Sequence, residues 1–506
     1  MAQYVLGLDA GNTVIKAVLF DLSGRRIAVA HENGSSITKQ PGYVERDMNE
    51  LWQQAGNAIA ACIQKSGVAA SEIAAIGCAG HGNGLYLLDK ANQPLLAVQS
   101  LDNRAAKIAE KLSESSDLLK SLCLQRPWPS QTPTLLAWVK EHDPSMYQQV
   151  GTVFLCKDYI NFQLTGKLAS DVTDMSGCGL LKMPETTYSE DVMAAYGLSD
   201  AMDKLPSLNQ STTIVGTVTE TASKHTGLSV GTPVVGGVFD VVASALGSGT
   251  IETGQASIIA GTWSINQVIV DAPTKDTDIF MAAAYDHHRF VEIEASATSA
   301  VNLEWFAHEL MGRDIDYLKD SDQSIFDLCN DLVAAVKQNI ELPIFHPYIY
   351  GGATSSNARG GFYGLAGWQG RGEMLYGLFE GVVFGHRQHV EKLKKNGIEI
   401  GNIILSGGGS RSLIWPQLFA DILGVDVAIA EEQETGALGA AISAAIGSGK
   451  YRDHQEALAN MTSISKRFEP QAANADFYER RYRLFTCIAE QMETVWLEFE
   501  TNINNS

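Results

Sequence analysis

"GLDAGNTVIKAVLFD", residues 7 to 21, sets two apolar runs around four small or polar residues, and a related stretch returns 250 residues later. The runs "YVLGLD" and "VIKAVLFD" predict two strands, and "AGNT" between them predicts a tight turn. At 261 to 271, "GTWSINQVIVD" carries Gly, Ile, Val and Asp at the offsets of Gly11, Ile15, Val18 and Asp21. A repeat on that scale predicts a duplicated core, and a ligand cleft between the two copies.

The rest of the chain has the rhythm of an α/β protein, apolar runs ending in Gly, Asn or Asp and alternating with amphipathic stretches. "NELWQQAGNAIAACIQKSG" has helical spacing of Leu51, Trp52, Ala55 and Ile59, and "IAAIGCAG" follows as a buried strand. "TPVVGGVFDVVASALGSG", 232 to 249, switches from strand to helix and closes the first half. "IILSGGGSRSLIWPQLFADIL" repeats strand, glycine turn and helix in the second, and "FYERRYRLFTCIAEQMETVWLEFE" predicts a terminal helix. At 506 residues the chain exceeds one core, so two domains are expected, 1–250 and 251–506.

Thirty-seven basic against 58 acidic residues give a net charge of -21, which disfavours nucleic acid and anionic membranes as partners. The seven cysteines, at 62, 78, 123, 156, 178, 329 and 487, form no C-x-x-C pair, the pattern of reduced core thiols. The start passes directly into a strand with no secretory pattern, and no stretch has the length of a membrane span, so a cytoplasmic location is expected.

Four polar turns could carry chemistry. In the first, Asp9 ends a strand, Gly11 allows close backbone approach, and Asn12, Thr13 and Lys16 follow. Amides and hydroxyls of such a turn suit phosphate oxygens and Asp9 suits hydrated Mg2+, although an ordinary hairpin has the same composition. "SGGGSRS" places Gly407, Gly408 and Gly409 before a helix whose bare N-terminus could receive a phosphate, or form a plain connection. It is neither a Rossmann glycine motif nor a P-loop. "GCAGHGNG" leaves room beside His81, Gly82 and Asn83 for hydroxyl groups, and "LDNRA" holds Asp102 and Arg104 two apart, close enough to pair with each other. Asp240 is expected as a helix N-cap, held ionised by helix amides as a general base requires.

Taken in order, these segments resemble the FGGY family of carbohydrate kinases. "GLDAGNTVIKAVLFD" is similar to its first phosphate motif. "TPTLLAWVKEH" and "KDYINFQLTGKLASDVTDMSG" are similar to its first signature region, and "TPVVGGVFDVVASALGSG" to its catalytic segment. "FHPYIYGGATSSNARGGFYGL" with "EMLYGLFEGVVF" resembles the second signature, and "LSGGGSRSLIWPQLFADILGVDVAIAEEQETGALGAAISAA" the adenosine segment. The resemblance implies two actin-like, ribonuclease H-like domains that bind MgATP and a small polyol, ketose or sugar acid, the first for the acceptor and the second for the nucleotide. It makes Asp240 the base and Asp9, with Asp240, the Mg2+ partners. Gly11, Asn12, Thr13, Lys16, Gly261 and Thr262 fall on phosphate positions, and Gly407, Gly408 and Gly409 on the nucleotide turn. His81, Gly82, Asn83, Asp102, Arg104 and Asp240 fall beside the acceptor. A homodimer is the assembly considered.

The match has gaps: Leu135 replaces the usual Lys of the first signature, Gly377 a small residue of the second, and Ser100 the tryptophan of a W-x-D-x-R element. "GHGNGLYLLD", "GTWSI" and "ASATSAVNLEWF" resemble the L-xylulose kinase, or pentulose kinase, branch. L-xylulose is therefore the expected acceptor, with D-xylulose, ribulose, gluconate, erythritol and glycerol as alternatives. An actin-like nucleotide-binding sensor without transfer chemistry is the rival from another class, and it has no use for a base at Asp240.

Overall fold

The computed structural model describes residues 3–114, 116–275, 279–352 and 357–504, so residues 353–356 of the second signature lie outside it. The chain folds as α/β and divides into two compact units that interleave along the sequence. One takes in the chain up to Thr253 with Ile269–Glu292 and Glu434–Ser463; the other takes Gly254–Val268, Ile293–Gln433 and the chain from Ile464 onward.

In the first unit, β1 (Tyr4–Ala10), β2 (Val14–Asp21) and β3 (Arg26–Asn33) form the antiparallel run that the opening stretch predicts. β4 (Ile73–Gly80) lies parallel to β1, followed outward by β5 (Ile214–Thr217) and β6 (Pro233–Val235) in the order β5-β6-β4-β1-β2-β3, and β7 (Val238–Phe239) also pairs with β4. Central parallel strands are covered on both faces, which is why β1 and β4 are near-continuous apolar runs. The helix Met48–Ser66 covers one face, capped by the Asp47 carboxylate on the Asn49 and Glu50 amides, and buries the predicted Leu51, Ala55 and Ile59. Trp52 is only partly covered and packs against His225.

Two small-residue helices, Asp240–Ser248 and Thr435–Gly447, cover the other face. Their approach is set by missing side chains. A Cβ on Gly7 would lie 1.9 Å from Ala437 O, and one on Gly439 would lie 1.9 Å from Ala243 O.

The second unit repeats the plan. β8 (Gln255–Ala260) and β9 (Ser264–Val270) form the hairpin, with β10 (Phe290–Ser296) outside it. β11 (Asn402–Ser406) and β12 (Asp426–Ala430) run parallel beyond β8, and β13 (Ile464–Phe468) closes the edge. Both sheets thus set an antiparallel hairpin of their first two strands beside two parallel strands, and in the second sheet Phe290–Ser296 and then Met281–Ala284 extend the other side: a duplicated core of the ribonuclease H type. The predicted terminal helix spans Ala475–Asn504.

All seven cysteines are unpaired, and six are buried as expected. Cys487 is exposed, a correction to the reading of all seven as core thiols. Among the described residues no helix is long and apolar enough to cross a membrane.

Candidate active site

The register of β1 and β2 sets Asp9 opposite Lys16 and ends β1 one residue before Gly11. The turn is closed by Gly11 N donating to Val14 O (3.0 Å) and gripped from behind by Arg46, only 3% exposed. Arg46 donates to Gly11 O, to Asn12 O (2.8 Å) and to Ser35 O (3.1 Å). Asn12 Nδ2 donates to Ser100 Oγ (2.9 Å), so the serine at the missing tryptophan position fastens the turn. Asn12 Oδ1 is buried with no partner, and Thr13 is exposed.

Lys16 Nζ lies 2.7 Å from Glu434 Oε2. Burial raises the Asp9 carboxyl to about 6, with Lys16 pulling it down and Glu434 pushing it up. Gly436 makes room for Asp9, since a Cβ there would lie 2.4 Å from Oδ2. Arg46, Glu434 and Gly436 were not found from the sequence. Gly436 stands one residue into a helix of small residues, a signal that could have been read as close approach.

Asp240 is the first residue of its helix, with Phe239 in the cap position, rather than the cap itself. Its carboxylate accepts the Val241 N–H alone of the helix amides. Burial and the neighbouring Asp9 charge push its pKa up to about 8, so the helix does not hold it ionised as expected.

The loop after β4 is tied to the first turn by His81 N donating to Ala10 O (3.1 Å). His81 Nε2 pairs with Tyr86 OH at 2.9 Å; Nδ1 is buried without a partner. Burial, helped by Arg46, lowers this imidazole to about 3 and keeps it neutral. Asn83 adopts φ 60°, a left-handed conformation uncommon outside glycine, and its buried Oδ1 has no partner. Gly82 cannot carry a side chain: a Cβ would lie 2.2 Å from the Phe239 ring, so the loop packs on the residue before Asp240.

Asp102 and Arg104 pair with each other. Arg104 Nε contacts both carboxylate oxygens at 3.0 Å and its Nη2 contacts Oδ2 at 2.9 Å, while Val44 N also donates to Oδ2. The guanidinium also meets Glu45 at 3.0 Å and stacks over Tyr43 and Trp138. The pair is a buried clamp on the loop, with its polar groups committed to the chain.

In the second unit Gly261 and Thr262 form the β8–β9 turn, with Thr262 exposed and its carbonyl accepting Ser299 N–H (3.1 Å). Gly407 adopts φ 81°, and a Cβ there would lie 2.9 Å from Ala260 O. One on Gly409 would lie 2.8 Å from Ala260 Cβ, whereas Gly408 borders open space. The hairpin turn and the glycine turn therefore meet at Ala260. The expected bare helix end is absent: a 3-10 turn at Gly408–Arg411 intervenes, and Ser412 Oγ accepts the Ile414 and Trp415 amides that lead the next helix. Sequence also missed His386, which braces the hairpin from Nδ1 to Asn266 Oδ1 (2.8 Å) and Ser264 Oγ (3.0 Å), and from Nε2 to Ser299 Oγ (2.8 Å).

Among the described residues no three His, Cys, Asp or Glu side chains gather as a closed metal cage. Asp9 and Asp240 are nonetheless two oxygen ligands whose mutual repulsion a divalent cation would relieve, and Mg2+ commonly binds one or two carboxylates plus substrate phosphates. The donor set fits that ion.

Family models for the N-terminal and C-terminal domains of the FGGY family of carbohydrate kinases match residues 4–247 and 256–448. A probable L-xylulose kinase of Haemophilus influenzae is 32% identical over 97% of this chain and all of its own length. An L-xylulose/3-keto-L-gulonate kinase of Escherichia coli is 33% identical over 96% of each chain. A ligand-bound xylulose kinase from Lactobacillus acidophilus has the same fold, with a TM-score of 0.89 at 24% identity over 98% of this chain and 99% of that one. With both domain models matched in order, the chain belongs to the FGGY family of carbohydrate kinases and is an ATP-dependent sugar kinase.

Proposed function

We propose that the chain transfers the γ-phosphoryl group of ATP to a hydroxyl of a ketopentose, L-xylulose foremost. Asp240 accepts the hydroxyl proton while the acceptor oxygen bonds to the γ-phosphorus and the bond from phosphorus to the β,γ-bridging oxygen breaks, releasing ADP. One observation carries the reading: Asp240 directly follows the phenylalanine that packs on the acceptor loop, and its charge is coupled to Asp9 of the phosphate turn.

In this reading residues 1–250 bind the acceptor and supply the base, and 251–506 bind the nucleotide. His81 Nδ1 and Asn83 Oδ1, buried and unpartnered, hydrogen-bond acceptor hydroxyls, and Gly82 lets their loop pack against Phe239. Asp102 and Arg104 shape that site as a closed pair. Gly11, Asn12, Thr13, Lys16, Gly261 and Thr262 hold phosphates, and Gly407, Gly408 and Gly409 underlie the adenosine. Mg2+, held by Asp9 and Asp240, would neutralise phosphate charge and draw both carboxyls toward their ionised forms.

The relatives above carry L-xylulose in their names, one of them beside the sugar acid 3-keto-L-gulonate, and one feature of the site favours the uncharged acceptor. The guanidiniums bordering the acceptor loops, Arg46 and Arg104, already serve carbonyls and carboxylates of the chain. The test is ADP release across L-xylulose, D-xylulose, ribulose, gluconate, erythritol and glycerol. Stimulation strongest with L-xylulose is expected; silence with every acceptor would overturn the kinase mechanism, and preference for gluconate would overturn the uncharged-acceptor reading.

A further inference from the structure

The first-signature stretch 157–177 contains a buried charge cluster that none of the roles above uses. Lys157 Nζ lies 2.6 Å from Asp158 Oδ1, 2.9 Å from Asp171 Oδ1 and 3.4 Å from Asp174 Oδ2, with all four side chains inaccessible to solvent. Burying one ammonium with three carboxyls is costly unless the arrangement serves a purpose or is very well hydrogen-bonded, and here both Asp174 oxygens lack a hydrogen-bond donor.

The cluster leads to the start of the Asp240 helix. Asp171 Oδ2 accepts from Thr173 N (2.8 Å) and from Thr173 Oγ1 (2.6 Å). The Thr173 hydroxyl, its proton given to Asp171, accepts the Phe239 N–H at 2.9 Å. The Phe239 ring is wedged between Gly177 and Gly82, where a Cβ would lie 2.8 Å and 2.2 Å from it. Asn161 Nδ2 holds the preceding carbonyls, Val235 O at 3.2 Å and Gly236 O at 3.0 Å. The backbone entering Asp240 is thus fixed at its amide, its side chain and its approach.

We infer that Thr173, anchored by Asp171 and Lys157, is a positioning residue that sets the Asp240 carboxylate for proton removal, an inference that rests on Asp240 being the base. Thr173 is fully buried and acts through the Phe239 amide. A base displaced by a fraction of an ångström loses much of its rate while the substrates still bind.

The experiment is a kinetic cycle on the full chain with ATP and the best acceptor of the panel. Thr173→Val keeps the shape and removes the hydroxyl; Thr173→Ser keeps the hydroxyl; Asp240→Asn removes the base. The expected result is kcat down about 10- to 100-fold in Thr173→Val, KM for ATP and acceptor within about threefold, and kcat restored by Thr173→Ser. In the Asp240→Asn background Thr173→Val should cost nothing further. If Thr173→Val does not fold, Thr173→Ala, which removes the same hydroxyl with less apolar bulk, carries the same expectation. A folded hydroxyl-free variant with kcat within twofold of the parent overturns the inference, as does Thr173→Ser failing to restore kcat, or additive losses with Asp240→Asn. Near-parental turnover of Asp240→Asn itself would instead refute the base assignment.

Discussion

Lys157→Met is the severest test of the charge cluster. The substitution keeps most of the length of the side chain and removes the ammonium that faces Asp158, Asp171 and Asp174. Removing one partner of a buried ion pair typically costs about 3–5 kcal/mol, because the remaining charge has neither water nor counter-ion. For a unit of about 300 residues, at about 2.1 cal/mol/K of unfolding entropy per residue, that corresponds to a fall of roughly 5–8 °C in Tm. The loss must depend on pH. Burial and the neighbouring carboxylates already raise Asp174 well above its ordinary range, with Lys157 the opposing influence. Without the ammonium, the remaining carboxyls are raised in the folded state relative to the unfolded one. A raised carboxyl binds a proton on folding, so its folded form loses stability as pH rises. The gap in stability between parent and variant should therefore widen from pH 5 to pH 8, by up to about 1.4 kcal/mol per pH unit for each carboxyl that must take up a proton. Scanning calorimetry across that range reads it. A loss under 1 kcal/mol, or a gap that narrows with rising pH, would refute the reasoning.

Gly436→Ala places a Cβ 2.4 Å from Asp9 Oδ2, and the side chain must move. Turnover should fall by about 10- to 100-fold with Tm nearly unchanged, and steady-state kinetics with thermal melts would show it. His346 is held neutral, its pKa lowered to about 4 by burial despite the hydrogen bond to Phe485 O. A histidine lowered on folding costs stability as pH drops below its unfolded value near 6.5. His346→Gln should thus flatten the acid side of the stability curve by up to about 1.4 kcal/mol per pH unit between 6.5 and 4, measured by urea unfolding; an unchanged slope would count against it.

The strands and the duplication were legible because period, turn residues and buried apolar runs are local properties, and β1, β2, β8 and β9 depend on little else. The interleaving of the units was not, because it turns on Gly7 letting the late helix Thr435–Gly447 lie against the first sheet and on Gly439 letting it lie against the helix Asp240–Ser248. At the site, local composition identified Asp9, His81 and Asp240 as residues of interest, but their protonation depends on neighbours remote in the chain. Asp240 looked like a cap because Asp before an apolar helix usually is one; one residue of offset removed the amides that would have kept it charged. Asp102 and Arg104 showed the opposite outcome, where the plain reading of a mutual pair describes the contacts. Arg46, Glu434, Thr173 and His386 carried no local signal, since each acts through partners dozens to hundreds of residues away.

The central claim is that Asp240 removes the acceptor proton. Its most direct test is single-turnover phosphoryl transfer by Asp240→Asn with saturating ATP, Mg2+ and the preferred acceptor, alongside equilibrium binding of both substrates. A general base is worth about 10²- to 10⁴-fold, so the rate should fall by that much while both dissociation constants stay within a few-fold of the parent. A transfer rate within threefold of the parent, with binding intact, would contradict the account.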